Sequence, residues 1–371
     1  MSLNIVADEN IPHVETIFSG LGKLNKVQGR NLTSSQLGDA DVLLVRSVTQ
    51  VNESLLKGSR VRFVGTSTIG VDHLDTEYLK QENIRYASAP GCNAWAVVQY
   101  VVSVLASLEE FEQGKRVVIV GGGNVGGRVY DTLNALGFDC AIVDPFLTEA
   151  CGRKLVEFER VYQADILCLH TPLTHHKKHP TFHLFNDSEL SKLKSNTLLI
   201  NAGRGAVINN LALLNLLKQG TKLRVALDVW ENEPNVAVGL LPYLIYATPH
   251  IAGYSYEGRL NGALMIYERL SMFLGKSEKD TLQALAPIRD SLFGEPKACV
   301  DFDLKDALLS CYDVRDDDAR FRASAETLPE GFDELRKHYP LRREFSHYVY
   351  RKVQDKDRLA YHALKFAEEG R

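Results

Sequence analysis

Three residues in separate stretches of the sequence have side chains that could together oxidise an alcohol by hydride transfer. They are Arg204 in NAGRGAVIN, Glu233 in ALDVWENEP and His250 in ATPHIAGYS. Arginine binds a carboxylate through two parallel hydrogen bonds. Histidine titrates in the range needed to accept a hydroxyl proton, and a neighbouring carboxylate fixes its tautomer and stabilises its charged form. This set of residue types suits a hydroxy acid as substrate.

Each of these three residues also has an ordinary explanation. An arginine between glycines is commonly solvated or caps a turn, a histidine after proline is commonly a turn residue, and a glutamate before proline is an ordinary loop acid. Their position favours chemistry, because each follows a predicted strand, and ligands bind at the carboxyl ends of strands in open parallel sheets. The strands predicted for this sheet are Val117–Val120, Cys140–Val143, Ile166–His170, Thr197–Asn201, Arg224–Asp228 and Tyr246–Thr248.

A glycine-rich turn follows the first of these strands. Gly121, Gly123 and Gly126 have the G-x-G-x-x-G spacing, and a helical pattern begins at Val125. The first glycine permits the tight turn, the second lets a pyrophosphate approach the backbone, and the third lets the helix pack on the strand. The helix N-terminus favours the phosphate charge. A glycine turn alone also arises for steric reasons, but strand, turn and helix together predict a dinucleotide site.

The identity of the dinucleotide is indicated by Asp144, which ends the next predicted strand. An acid about 20 residues beyond the glycine motif accepts hydrogen bonds from the adenosine ribose. Its negative charge would repel a phosphate at the ribose 2′ position. The sequence therefore predicts NAD rather than NADP as the cofactor.

The order of the motifs resembles that of the D-isomer-specific 2-hydroxyacid dehydrogenase family over residues 1–280. The matching stretches are VGGGNVGG, LHTPLT, INAGRGAVIN, ALDVWENEP and TPHIAG. The resemblance implies that Arg204, Glu233 and His250 are the catalytic residues. Three further stretches, VADENIP, FVGTSTIGVDHLD and APGCNAWAVVQYV, resemble one branch of the family, as do YDVRDDDARFR and GFDELRKHYPLRREF in the tail.

That branch implies NAD-dependent oxidation of 4-phospho-D-erythronate to (R)-3-hydroxy-2-oxo-4-phosphooxybutanoate, in pyridoxine 5′-phosphate biosynthesis. Two alternatives stay open at this point. One is a 3-phosphoglycerate or glycerate dehydrogenase, which the tail argues against. The other is a non-catalytic NAD-sensing binding protein on the same fold, which the intact catalytic set argues against.

The resemblance also implies contacts for the cofactor and for the substrate. The implied cofactor contacts, together with the glycines of the turn, are Gly121, Gly123, Asn124, Val125, Gly126, Asp144, Thr171, Asp228 and Gly253. The implied substrate contacts are Ser47, Thr68 and Tyr254. Ser47 and Thr68 lie in hydroxyl-rich turns that suit an anion, although such turns also occur as simple caps. One departure from the family pattern is Gly122, where the residue is more often larger.

A cluster of histidines could suggest a metal site. His170, His175, His176, His179 and His183 lie within LHTPLTHHKKHPTFHL. Their spacing does not repeat a helical ligand pair, no acid lies in the run, and two lysines in it would repel a cation. We interpret the run as a solvated loop and predict no metal.

The alternation of strand and helix patterns, with the resemblance, predicts an α/β protein of three domains. Residues 94–254 form a Rossmann-type doubly wound parallel sheet that binds NAD. Residues 1–93 plus 255–285 form a flavodoxin-like α/β substrate-binding (lid) domain, and residues 286–371 form a small α+β C-terminal dimerisation domain. Predicted connections are a helix capped by Asn93 that runs to about Leu108, and one helix over Ser255–Lys276.

Composition limits the possible partners. The chain has 371 residues, a net charge of −4 and a pI of about 6.3, which argues against nucleic acid or an anionic membrane as a partner. No apolar run approaches the roughly 20 residues of a membrane span. The six cysteines are scattered without C-x-x-C pairs, which favours a reduced, cytoplasmic protein. The tyrosines and paired charges of the tail, with the resemblance, predict a homodimer through the C-terminal domain.

Overall fold

A computed structural model describes residues 3–111, 114–175, 178–300, 303–351 and 355–368. The chain forms two compact units, one made of Met1–Asn93 with Ser255–Glu295 and the other of Ala94–Tyr254 with Pro296–Arg371. Both units are built on parallel sheets, as the α/β prediction requires.

The helices and strands follow one another along the chain in three segments. The first segment contains β1 (Asn4–Asp8), α1 (Val14–Phe18), β2 (Lys23–Val27), α2 (Ser34–Leu37), β3 (Val42–Val45), α3 (Glu53–Leu56), β4 (Phe63–Thr66), α4 (Thr76–Gln81) and β5 (Arg85–Ala87). The second contains α5 (Ala94–Ser107), β6 (Arg116–Val120), α6 (Asn124–Ala135), β7 (Asp139–Val143), β8 (Ile166–Leu169), α7 (Asp187–Ser191), β9 (Leu198–Asn201), α8 (Asn210–Lys218), β10 (Arg224–Leu227) and β11 (Tyr246–Ala247). The third contains α9 (Tyr256–Phe273), α10 (Glu278–Phe293), β12 (Lys297–Val300), α11 (Leu304–Cys311), α12 (Val314–Ala323), α13 (Glu330–Lys337), β13 (Tyr348–Tyr350), α14 (Asp355–Ala363) and β14 (Ala367–Glu368).

The sheet of the first unit has the strand order β2-β1-β3-β4-β5 with every pair parallel. This is the flavodoxin-like order, in which the strand order reverses between the first and third strands. The sequence pattern predicts helices over Asn52–Leu56 and Asp75–Gln81. Both helices begin one residue later, because Asn52 and Asp75 act as caps and their side chains accept hydrogen bonds from the amides of Leu55 and Tyr78. Strand β2 escaped prediction because its KLNKV sequence is mostly polar and lies at the sheet edge.

The chain returns to the first unit through two helices rather than one. Helix α9 lies within the predicted Ser255–Lys276 helix, and the Ser255 hydroxyl caps it by accepting a hydrogen bond from Gly258 N at 2.8 Å. Helix α10 follows and carries Pro287 in its interior. The predicted domain boundary at residue 285 lies inside this helix. Its apolar signal is weak because only Thr281 and Leu285 are buried.

The sheet of the second unit has the order β11-β10-β9-β8-β6-β7, again entirely parallel. The order reverses between β6 and β8, which is where a doubly wound sheet binds its ligand. Leu155 forms an isolated parallel bridge with Ile142 and so extends the sheet beyond β7. Helix α5 is buried along nearly its whole length, from Ala94 to Ala106.

The tail was predicted as a separate domain, but in the structure it packs into the second unit. Its three strands form a small parallel sheet with the order β12-β13-β14. Ser103 of α5 donates a hydrogen bond to the carbonyl of Tyr312 and accepts one from the amide of Val314, both at 2.9 Å. Leu308 and Tyr361 of the tail are buried in the same apolar core as Val101 of α5.

None of the described helices is long and apolar enough to cross a membrane.

Candidate active site

The glycine-rich turn has the geometry of a phosphate cradle. Gly121 has φ +92°, and a Cβ there would lie 2.9 Å from the carbonyl carbon of His170. A Cβ on Gly126 would lie 1.9 Å from the carbonyl oxygen of Gly121, so only glycine lets α6 pack so close to the turn. A Cβ on Gly123 would meet no atom within 4 Å. The turn is therefore tight at its two ends and open in the middle, beside the first amides of α6, Asn124 and Val125.

Asp144 is tied to this turn. Its two carboxylate oxygens accept hydrogen bonds from Gly122 N at 2.9 Å and from Phe146 N at 3.0 Å, and the residue is half-buried at the end of β7. Gly122, the departure from the family pattern, also has a physical reason. A Cβ there would lie 2.5 Å from the Leu147 side chain, so packing favours a glycine at this position.

Unpaired polar atoms lie beside the turn, at the end of β8. The Thr171 hydroxyl and both ring nitrogens of His170 are buried and have no hydrogen-bond partner among the described residues. Burial lowers the pKa of His170 to about 4, so its ring is neutral near pH 7. Buried polar groups are normally paired. These polar atoms lie beside an open glycine and a helix N-terminus, and they could bind a polar cofactor such as NAD.

The histidine run behaves only partly as a solvated loop. His175 and His179 are exposed, and His176 lies outside the described residues. The two ring nitrogens of His170 are instead buried, and Nε2 of His183 lies 2.6 Å from a carboxylate oxygen of Glu231. No group of three or more histidine, cysteine or acidic side chains in the described ranges is arranged to hold a metal ion.

Glu233 and His250 form a hydrogen-bonded pair. Glu233 Oε2 lies 2.7 Å from Nδ1 of His250, while Oε1 accepts a hydrogen bond from Trp230 N at 2.7 Å. Burial by itself raises the pKa of Glu233, but the charge and hydrogen bond of His250, the Trp230 amide and the charge of Arg336 outweigh it, so the pKa is lowered. With Nδ1 held in this way, Nε2 is the ring nitrogen left to exchange a proton.

Asp228 holds the loop that carries His250. Its buried carboxylate accepts hydrogen bonds from the Thr248 hydroxyl at 2.7 Å, Ile251 N at 2.8 Å and Ala252 N at 2.9 Å. Its main-chain carbonyl accepts a hydrogen bond from His250 N at 2.7 Å. His250 adopts the left-handed backbone conformation, with φ +57°, which these contacts stabilise. The resemblance implied a cofactor contact here; the structure adds a positioning role for this carboxylate.

Arg204 follows β9 in a turn organised by the side chain of Asn201. The Asn201 amide donates to the Arg204 carbonyl at 3.0 Å, and its oxygen accepts from Gly203 N at 3.1 Å. A Cβ on Gly205 would lie 1.9 Å from the carbonyl carbon of Trp230, so the turn after β9 lies against the segment that leads to Glu233. Strands β9, β10 and β11 are neighbours, and they deliver Arg204, Glu233 and His250 to the same edge of one sheet.

The segment after His250 contacts the tail. Gly253 and Tyr254 are half-buried, and the ring of Tyr254 packs edge-on against Tyr339 with 5.7 Å between ring centroids. The guanidinium of Arg336 lies 5.5 Å from the Tyr254 ring centroid. Arg336 was not predicted as a site residue, because it lies in a basic stretch of the tail that contains no catalytic motif.

The remaining two predicted residues lie in the first unit. Ser47 is exposed just beyond β3 and follows Arg46, whose Nε donates to the buried carboxylate of Asp8 at 3.0 Å. The Thr68 hydroxyl lies 2.8 Å from that of Thr66 and donates to the Gly70 carbonyl at 3.1 Å. The Thr66 hydroxyl also lies 2.9 Å from Nε2 of His73, a buried histidine that no motif indicated.

Comparisons with known proteins agree with this architecture. Residues 105–252 match the NAD-binding domain of the D-isomer-specific 2-hydroxyacid dehydrogenases, and residues 295–364 match a domain of unknown function. Similar solved structures include the D-lactate dehydrogenase of Aquifex aeolicus with NAD and lactic acid (TM-score 0.62, 21% identity, covering 76% of this chain and 98% of that one). Another is the NAD⁺-bound 3-phosphoglycerate dehydrogenase of Entamoeba histolytica (TM-score 0.64, 22% identity, covering 75% and 98%). These two likenesses establish the fold.

Closer relatives match this chain over nearly its full length, including the tail. Erythronate-4-phosphate dehydrogenase of Saccharophagus degradans is 49% identical over 354 residues, which covers 93% of this chain and 94% of the relative. The enzyme of the same name from Teredinibacter turnerae is 46% identical over 348 residues, with coverage of 93% and 94%. The chain is thus an NAD-dependent oxidoreductase, and it belongs to the erythronate-4-phosphate dehydrogenases of the D-isomer-specific 2-hydroxyacid dehydrogenase family.

Proposed function

We propose that this protein oxidises 4-phospho-D-erythronate at C2 with NAD and gives (R)-3-hydroxy-2-oxo-4-phosphooxybutanoate, in pyridoxine 5′-phosphate biosynthesis. The observation that carries the proposal is the 49% identity to a relative of that name over 93% of the chain. The geometry of the second unit supports it, because the Glu233–His250 pair, at 2.7 Å, has the form of an acid–base pair.

In this mechanism Arg204 binds the substrate carboxylate and so orients C2. Nε2 of His250 accepts the proton of the C2 hydroxyl, and Glu233 stabilises the imidazolium that results. NAD, held by the glycine-rich turn, would supply the acceptor for the hydride that leaves C2. Asp228 keeps His250 in place through its hydrogen bonds to the following two amides.

The proposal also includes the predicted contacts to the cofactor and to the rest of the substrate. The cradle of Gly121, Gly123 and Gly126, with the amides of Asn124 and Val125, binds the pyrophosphate. Asp144 binds the ribose, and Thr171, Asp228 and Gly253 complete the cofactor site. Ser47, Thr68 and Tyr254 contact the phosphorylated substrate.

An assay of the purified protein tests this function directly. NADH formation is followed by absorbance with 4-phospho-D-erythronate, 3-phosphoglycerate and glycerate as alternative substrates. We expect kcat/KM to be highest for 4-phospho-D-erythronate, because the branch resemblance extends through the tail. A higher value for 3-phosphoglycerate would transfer the assignment to that acid. NAD binding without turnover of any of the three acids would favour a sensing protein.

A substitution of the proposed base tests the mechanism. His250→Ala is expected to lower kcat by roughly 10² to 10⁴, the usual contribution of a general base, while NADH affinity changes little. Glu233→Gln is expected to lower kcat less and to move its pH profile. An exposed histidine, His338, provides the control, since its alanine variant removes an imidazole outside the proposed mechanism. A His250→Ala enzyme with nearly full activity at neutral pH would exclude His250 as the base.

We further propose that the protein is a cytoplasmic homodimer that associates through the tail. Leu341 and Leu359 are 74% and 75% exposed, and such apolar side chains are typical of covered interfaces. Cys140, Cys151 and Cys168 form no disulfide bond, which supports a reducing compartment. Light scattering tests the dimer, and fractionation of the source cells tests the location.

A further inference from the structure

The tail brings a positive charge to the proposed catalytic loop. Arg336 is in the last turn of α13, and its guanidinium lies 5.5 Å from the ring centroid of Tyr254 and 5.6 Å from that of Phe332. Its Nε is buried and has no hydrogen-bond partner within the described part of the chain. A positive charge that lies on aromatic faces, with a buried Nε, acts on nearby ionised groups more strongly than a fully exposed charge does.

The groups that face this charge belong to the catalytic loop and to α13 itself. Arg336 interacts electrostatically with Tyr254, Glu233 and Asp333. Glu233 in turn faces His250, and His250 also interacts with the buried Asp228. The acid–base pair of Glu233 and His250 is therefore flanked by one further acid, Asp228, and by one arginine from the tail.

Other contacts of the tail fix the position of the loop relative to α13. Arg342 is buried and donates hydrogen bonds to the carbonyl of Ala252 at 2.5 Å and to that of Ala96 at 3.2 Å. Tyr339, which packs on Tyr254, donates its hydroxyl proton to Asp317 at 2.7 Å. These backbone and ring contacts, and not only the side-chain rotamer of Arg336, thus place Arg336 near Tyr254 and Glu233.

We infer that Arg336 is a positioning residue of the dehydrogenase reaction, which sets the charge balance of the Glu233–His250 pair and orients the ring of Tyr254. The inference rests on the proposed function for the reaction that the pair carries out. Its consequence is that the tail is part of the catalytic apparatus, since a residue far along the chain tunes the proposed base.

The pH profile of oxidation is the readout that a purely structural residue would not move. The base must be unprotonated to accept the hydroxyl proton, so kcat/KM rises with pH through the titration of the pair. Loss of the Arg336 charge strengthens proton binding by the pair. In Arg336→Gln we therefore expect the midpoint of this rise to move upward by about one pH unit, the scale expected when one neighbouring opposite charge is lost.

Two variants control for loss of packing and for loss of charge in general. Arg336→Lys keeps the charge, and we expect its midpoint to return close to that of the wild type. Lys337→Gln removes the same charge from the next residue of α13, where the side chain is 62% exposed, and its midpoint should stay unchanged. NADH binding by fluorescence checks that each variant is folded.

A measurement that needs no substrate separates this inference from the proposed function. The carboxyl carbon of Glu233 is titrated by NMR in protein labelled with [¹³C]glutamate and assigned with Glu233→Gln. Its titration should move to higher pH in Arg336→Gln, whichever acid the enzyme oxidises. The inference is overturned if that titration is unmoved, if Lys337→Gln or Arg336→Lys moves the kinetic midpoint as far as Arg336→Gln, or if Arg336→Gln raises KM alone.

Discussion

The imidazole of His170 is neutral because the fold buries it beside the nucleotide-binding turn with both nitrogens unpaired. Burial lowers its pKa from 6.5 to about 4. The unfolded chain therefore binds a proton as the pH falls below about 6.5, whereas the folded chain does so only near 4. The contribution of the neutral His170 to the free energy of unfolding is therefore fully present above pH 6.5, and it is lost as the pH falls toward 4.

This difference predicts an acid-sensitive fold. The wild-type free energy of unfolding should fall by on the order of 1–2 kcal/mol more than that of His170→Phe between pH 7 and pH 5. Urea denaturation at the two pH values measures it. His179→Phe, the same change at an exposed histidine of the following loop, should keep the wild-type pH dependence. Parallel pH dependence in the wild type and His170→Phe would contradict the prediction.

His170 also illustrates what sequence motifs convey at the scale of single residues. The order of Arg204, Glu233 and His250 along the chain predicted a shared sheet edge, because strand ends in a parallel sheet lie together. The separation of His170 from the other histidines of its run depends on which side of β8 faces the core. A run of histidine and lysine residues does not show which of its side chains will be buried.

At the scale of elements, β11 is a two-residue strand at the edge of the sheet, and it carries the His250 loop. Helix α12 covers it through Asp318, whose carboxylate accepts a hydrogen bond from Ala247 N at 2.7 Å. Arg322 binds the same carboxylate at 2.9 Å and donates to the carbonyl of Leu241 at 2.6 Å. The Asp318 carboxylate thus accepts hydrogen bonds from the edge strand β11 and also neutralises the charge of Arg322.

Asp318→Ala should therefore lower the free energy of unfolding by about 1–3 kcal/mol, since it leaves the Ala247 amide without an acceptor and the Arg322 guanidinium without its carboxylate partner. It should also lower kcat, because the loop that follows β11 loses its support. Asp318→Asn keeps one acceptor oxygen and should lose less. Asp316→Ala, an exposed acid on the same helix, is the control. Chemical denaturation and steady-state kinetics measure both effects, and an Asp318→Ala protein as stable as its control would refute the role.

Element prediction succeeded where the apolar periodicity was strong and failed where it was weak. The sequence predicts strands at Val42–Val45 and near Tyr348–Tyr350, and the structure has a strand at each of these positions. Strand β2 and helix α10 are largely solvent-facing, so their sequences contain little apolar pattern to detect. The packing of α12 on β11 joins residues far apart in the chain, and no local signal reports it.

At the scale of the whole molecule, the proposed dimer depends on the exposed apolar residues of the tail. Light scattering at micromolar concentration should give about twice the 41.4 kDa chain mass. Leu341→Asp combined with Leu359→Asp should shift the protein toward the monomer, because both side chains would place a charge in the interface. Leu211→Asp, at a leucine 66% exposed on α8, is the matched control. A wild-type protein that stays monomeric would rule out the dimer, and the proposed catalytic residues would not be affected.

The packing of the tail against α5 also fixes an order of events during synthesis. The first unit has all its residues once Glu295 has emerged from the ribosome, whereas the second unit begins at Ala94 and lacks its last part until Pro296–Arg371 is made. Until then, the face of α5 that receives Tyr312 and Leu308 stays open to water. The second unit is thus the last to complete its folding. Its incomplete form exposes apolar surface that chaperones would bind. A chain truncated after residue 295 and released from the ribosome should resist protease in residues 1–93 while residues 94–254 remain susceptible. Equal protection of both segments would show that folding of the second unit does not require the tail.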